Sequence, residues 1–261
     1  MAQLKIGVRL EALGLPLRRG LEAANRLGIG GVRVDAVGDL APQQLSQTGR
    51  REFRNLLRAW DLELTAIHCP LRRGLNVAEN LEPRIEHIRQ VMQLSFDLGP
   101  RLVTVQAGRV PDSPTDPGYP LLREALLDLS RHGDRIGVIL ALETGLEPAS
   151  ALKDFLDPFD TGSLGINLDP ANLLMNGFDP YDSAAVLRER LVHCHAKDAR
   201  AAGASRSAQE VPLGHGDIDW MRFLACLAEA DYHGWLTITR ETGGGVAEIE
   251  AAVRFLRRFV G

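Results

Sequence analysis

The feature that most narrows the folds open to this chain is a rhythm: short apolar runs alternate with stretches of helical periodicity, eight times over 261 residues. Lys5–Arg9, Gly31–Asp35, Glu63–His68 and Leu102–Gln106 read as strands in the first half. Helices are expected over Leu17–Leu27, Gln43–Trp60 and Asn80–Leu98. The last carries Ile85, Ile88, Val91, Met92 and Leu94 on one stripe and ends at Gly99-Pro100. In the second half a helix over Leu121–Ile136 leads to a strand ending in Glu143, and a short helix near Ala149–Leu156 to one ending in Asp169. A helix over Asp182–Arg190 leads to the run Leu191–Asp198. One capped by Asp219 and running through Ala230 leads to Gly234–Glu241, and Ala247–Val260 closes the eighth unit. Two connections, Ala107–Pro120 and the Gly-, Ala- and Ser-rich Ala199–Gly216, are too long for tight turns and are expected to wall a site.

Eight βα units can close into a barrel or lie open as a doubly wound sheet. The stretch after the first strand, Ile6-Gly-Val-Arg-Leu-Glu-Ala-Leu-Gly14, supplies no Gly-x-Gly-x-x-Gly, and no phosphate-loop motif occurs elsewhere. A (β/α)8 TIM barrel is the better expectation, and no composition shift divides it, so residues 1–261 are read as one domain. A barrel gathers polar strand ends at one mouth, which accounts together for Arg9, His68, Gln106, Glu143, Asp169, His195 and Glu241.

Four of those strand ends carry metal-ligand chemistry. Glu143, Asp169 and Glu241 close apolar runs, and His195 lies with His193 on one face of Leu191-Val-His-Cys-His-Ala-Lys-Asp198. Three carboxylates and an imidazole suit Mn²⁺, Mg²⁺ or Co²⁺ and are acceptable to Zn²⁺. The alternative is that the carboxylates pair with Arg or Lys and hold no metal. Lys197 is a donor for a substrate oxygen, with a salt bridge to Asp198 or Glu143 as its structural alternative. His193 either orients a carboxylate or touches substrate; His68 and Arg9 are placed in the site by their strand ends alone, and His215 lies in a glycine-rich loop that could cover the mouth. A formal charge of −4 and pI near 6.0 give no basic face for nucleic acid. No apolar stretch approaches a membrane span. Three cysteines without ligand spacing suggest a reducing, cytoplasmic setting. Homo-oligomerisation is left open.

At these residues the chain resembles the xylose-isomerase-like TIM barrels, a group of sugar and sugar-phosphate isomerases, ketose 3-epimerases, hydroxypyruvate isomerase, inosose dehydratases and metal-dependent apurinic endonucleases. The resemblance spans nearly the whole chain and is most specific in Ala141-Leu-Glu-Thr, Asn167-Leu-Asp-Pro-Ala-Asn, Val192-His-Cys-His-Ala-Lys-Asp and Pro212-Leu-Gly-His-Gly-Asp-Ile-Asp-Trp. It implies one divalent metal on Glu143, Asp169, His195 and Glu241. It also implies that Glu143 and Glu241 act as acid and base in proton transfer through an enediolate of a small sugar, keto-sugar or sugar phosphate. An inosose-type dehydratase using the same groups, and a non-catalytic sugar-binding barrel, are the alternatives. Three departures qualify the resemblance. Asn172 stands where the epimerases often carry a substrate-contacting histidine, and Arg33 where a second-strand glutamate is common. Gln106 replaces a histidine of the endonucleases, although His68 matches their other one, so repair chemistry is not expected.

Overall fold

The computed structural model describes residues 4–203 and 207–260. Among them a closed barrel of parallel strands is built from β1 (Lys5–Arg9), β2 (Gly31–Asp35), β3 (Glu63–Cys69), β4 (Leu102–Val105), β5 (Ile139–Glu143), β6 (Leu164–Leu168), β7 (Leu191–Ala196) and β10 (Trp235–Ile238). Closure is made by β1, which pairs in parallel with β10 on one side and β2 on the other. The chain is therefore a (β/α)8 TIM barrel, and its strands are buried on both faces, as near-continuous apolar runs require.

The helices form where an apolar stripe meets the barrel wall. In α3 (Leu81–Leu98) Ile85, Ile88, Val91, Met92, Leu94 and Leu98 are buried, and Gly99 ends the helix in the left-handed conformation at φ 111°. Ile88 is fully buried, so Ile88→Ala would cost about 2–5 kcal/mol through lost burial and the cavity left behind. Helix α2 (Gln47–Ala59) starts later than the periodicity suggested, because the Ser46 hydroxyl caps it by accepting from the Gly49 amide. Helix α4 (Gly118–Ile136) starts three residues early, at the end of the proline-rich loop.

Two elements depart from the sequence reading. The loop expected over Ala199–Gly216 contains an antiparallel pair, β8 (Asp198–Arg200) with β9 (Gln209–Val211). It is anchored by Asp198, whose Oδ2 accepts from the Gly214 and Gly216 amides and from Trp220 Nε1. A Cβ on Gly216 would lie 1.9 Å from Asp198 Oδ1, so only glycine lets the loop approach this closely. A short helix, α6 (Pro170–Met175), follows β6 directly: Asp169 is its N-cap, accepting from the Asn172 amide, and Pro170 fixes the first turn. Helix α7 (Pro180–Val186) starts in the same way at Asp179-Pro180. Among the described residues no helix is long and apolar enough to cross a membrane.

Candidate active site

The carboxyl ends of β5, β6 and β7 bring three ligand-type side chains together. Glu143 is the last residue of β5, Asp169 follows β6, and His195 lies within β7; one ligand atom from each lies within 4.8 Å of the others, and all three are buried. His195 Nδ1 is 3.0 Å from Asp169 Oδ2. Asn172, in the first turn of α6, donates from Nδ2 to Glu143 Oε1 at 2.8 Å. Its approach requires Gly145, where a Cβ would meet the Asn172 Cβ at 2.4 Å. Two carboxylates and an imidazole at this spacing fit a hard divalent cation as a three-donor set.

Glu241 stands apart from that group. It lies three residues beyond β10 with its side chain 53% exposed, and its Oε1 accepts from Lys197 Nζ at 2.6 Å. Lys197 is wholly buried, donates also to Asn172 Oδ1 at 2.9 Å, and lies 3.4 Å from Asp169 Oδ2. Neither salt bridge expected for it forms: Asp198 faces the opposite side of the chain and holds the loop, and Glu143 is reached only through Asn172. Burial alone would lower the Lys197 pKa, but Asp169, Glu241 and Glu143 outweigh it, so the ammonium is held above its usual value. Burial, with Asp169 close by, pushes the Glu143 carboxyl up to about 7.

One pleat deeper runs a layer of polar groups. The Thr237 hydroxyl donates to His193 Nε2 at 2.9 Å, His193 Nδ1 to Asn167 Oδ1 at 2.8 Å, Asn167 Nδ2 to His195 Nε2 at 3.1 Å, and His195 Nδ1 to Asp169 Oδ2. These donor–acceptor roles are mutually consistent and leave both ring nitrogens of His193 bonded to protein groups. Burial holds both histidines well below their ordinary pKa, and therefore neutral. Asn167 and Thr237 escaped the sequence reading, although strand alternation offered a signal: Asn167 lies two residues before Asp169 as His193 lies two before His195.

On the opposite arc, at the ends of β1 to β3, charges pair with one another. Arg9 Nη2 is 2.6 Å from Asp35 Oδ2, and Arg33 Nη2 is 3.4 Å from Asp35 Oδ1. The Asp35 amide donates to Glu11 Oε1. Arg33, 2% exposed, also reaches across the barrel so that Nη1 lies 2.9 Å from His195 Nε2. His68 bonds Thr104 through Nδ1, and burial with Arg33 nearby pulls it down to about 3. Gln106 lies beyond the end of β4 and is exposed, as is His215. Hollows of about 470 and 520 Å³, the first lined by Pro70–Arg73, Glu79 and His87 and the second by Leu4–Ile6 with Trp235, include none of Glu143, Asp169, His195 and Glu241.

A family model described as xylose isomerase-like TIM barrel matches residues 21–259. No curated protein matches in sequence. Among solved structures, a xylose isomerase domain protein from Planctomyces limnophilus is similar at TM-score 0.86 and 27% identity, over 98% of this chain and 96% of that one. The probable 3-DHS dehydratase AsbF from Bacillus anthracis is similar at TM-score 0.79 and 20% identity, over 97% of this chain and 99% of its own. A D-tagatose 3-epimerase-like protein follows at TM-score 0.81 and 18% identity, over 98% and 96%. The two below 25% identity speak for the fold alone.

Proposed function

This chain belongs to the xylose isomerase-like TIM barrel family, and from that premise we propose that it is a divalent-metal-dependent isomerase or epimerase of a small sugar, keto-sugar or sugar phosphate. The observation that carries the reading is the convergence of Glu143, Asp169 and His195, buried at the carboxyl mouth with ligand atoms within 4.8 Å of one another. These three would hold the ion, Mn²⁺, Mg²⁺ or Co²⁺ by the hardness of the donors, with Zn²⁺ acceptable. When bound, it supplies Lewis-acid stabilisation of negative charge on substrate oxygens. Glu241 is the fourth proposed ligand; its exposed carboxylate lies on Lys197, which already contacts Asp169.

The protein groups divide the remaining work. Glu143 is the base that takes a proton from the carbon beside the carbonyl; burial raises its basicity, while Lys197 and a bound cation favour the carboxylate form that the step needs. Glu241 returns the proton on the opposite face, its exposure letting it exchange with water. Lys197, held as an ammonium, donates to the oxygen on which charge develops. Asn172 spans Glu143 and Lys197 and sets the distance between base and donor. Arg9 and His68 reach substrate from the opposite arc, and His193 contributes by fixing Asn167. The same abstraction followed by loss of hydroxide is the dehydratase alternative, which would use the same three-donor site and the same base.

The test is incubation of metal-loaded protein with ketoses, keto-inositols and hydroxypyruvate in D2O, following deuterium beside the carbonyl by NMR. Label with hydroxyls retained supports isomerase or epimerase, and loss of water moves the assignment to dehydratase. Turnover without solvent label, together with full activity in Glu143→Gln and Glu241→Gln, would sink the roles given to both glutamates.

A further inference from the structure

We infer that Arg33 is a built-in brake on the cation site, a positioning residue whose contact with His195 must be released before a divalent ion binds there. The inference rests on the reading of Glu143, Asp169 and His195 as cation ligands. Its own evidence is a contact made across the barrel by residues 162 apart in sequence: Arg33 Nη1 lies 2.9 Å from His195 Nε2. A guanidinium can only donate, so Nε2 accepts, and the ring proton sits on Nδ1 facing Asp169 Oδ2.

Either ring nitrogen leads to the same conflict. If Nε2 is the ligand atom, its lone pair is already engaged by Arg33 and by Asn167 Nδ2. If Nδ1 is the ligand atom, the neutral ring carries its proton on Nε2; the Asn167 amide can turn its oxygen to that proton, but the Arg33 guanidinium can only donate against it. Arg33 also places a second positive charge beside the ion in a buried setting where screening by water is weak. An alternative seat for the guanidinium is at hand. Asp35 Oδ1 is 3.4 Å from Nη2, longer than a good charge-assisted bond, and Arg33 Nε is buried without a partner. The side chain is incompletely satisfied where it lies, so a small shift toward Asp35 gains hydrogen bonding while releasing His195.

The experiment is Mn²⁺ titration followed by electron paramagnetic resonance, without substrate, on wild type, Arg33→Gln, Arg33→Lys and Asp169→Asn. Glutamine removes the charge and offers a carbonyl that accepts from Nε2–H, so Arg33→Gln is expected to bind Mn²⁺ about tenfold more tightly or better. Lysine keeps the charge and can only donate, so Arg33→Lys is expected to stay near wild type. Equal or weaker affinity in Arg33→Gln overturns the brake while leaving the ligand assignment intact. Binding unchanged by Asp169→Asn places the ion elsewhere and overturns both. If Arg33→Gln does not fold, the ¹⁵N signals of His195 in metal-free wild type, assigned against His195→Asn, decide the matter: an unprotonated Nε2 supports the brake, and a protonated Nε2 overturns it.

Discussion

The two arcs of the barrel mouth carry similar numbers of charged groups and use them differently. On the β5–β7 arc the carboxylate of Glu143 receives neutral amides from Asn167 and Asn172, and that of Asp169 a neutral imidazole. These partners orient the acids without cancelling their charge, and Lys197 is the single cation in contact with them among the described residues. On the β1–β3 arc the acid Asp35 is shared by two guanidiniums, Arg9 and Arg33. Acids held by dipoles keep a charge to offer a ligand, whereas acids held by cations have already spent theirs on the fold. The nature of the partner, more than burial or residue type, separates the two sets of carboxylates.

Substitutions on each arc test that contrast. Asp35→Asn leaves Arg33 buried with its counter-charge gone, and the expected loss is about 3–5 kcal/mol of stability, read from the urea midpoint. Little destabilisation would mean that the β1–β3 arc is no more structural than the other. Glu143→Gln on the opposing arc should reverse the pattern: a fall of about 10²-fold or more in substrate C–H exchange with solvent, measured by NMR, with a much smaller change in the unfolding midpoint. Asn172→Ala removes the amide that spans Glu143 and Lys197, and about a tenfold fall in kcat/KM is expected, with the fold retained.

The smallest expected effect concerns Glu147, buried behind Glu143 and accepting from the Val110 amide of the proline-rich loop. Burial pushes its carboxyl from the ordinary 4.5 up to about 7. Between those values the folded form keeps a proton that the unfolded chain has released, so this group's contribution to stability falls as pH rises from about 4.5 to 7. Glu147→Gln keeps an acceptor for Val110 and should flatten that decline, leaving the variant more stable than wild type at pH 8 by thermal unfolding. A decline of unchanged slope would assign the titration to another group, Glu143 first.

The barrel was legible because the strands are apolar runs closed by a polar residue, and the two longest helices show a stripe ended by glycine, α3 at Gly99 and α4 at Gly137. The three converging ligand-type side chains were legible for the same reason, since each lies at or next to a strand end. What escaped depended on contacts between distant parts of the chain. The β8–β9 pair has no apolar pattern, and its order comes from the Asp198 carboxylate gripping backbone amides. The α6 turn is only six residues long, too short for periodicity, though Asp169-Pro170 announces it as Asp179-Pro180 announces α7. Arg33 was visible as a departure on the second strand, but its bond to His195 depends on barrel closure, which no local pattern encodes.

The grip of Asp198 on the loop also bears on which changes of sequence this rim can absorb. The carboxylate reads backbone amides at residues 214 and 216 and the indole of Trp220; among the described residues the segment's own demands fall at Glu210, which binds the Glu241 and Thr242 amides, at buried Val211 and Leu213, and at Gly214 and Gly216. Exposed positions such as Ala202, Ser207 and Gln209 can therefore change while the staple and the strand beneath it stay as they are. Variation of that kind is kept to the outer rim, away from the buried Lys197.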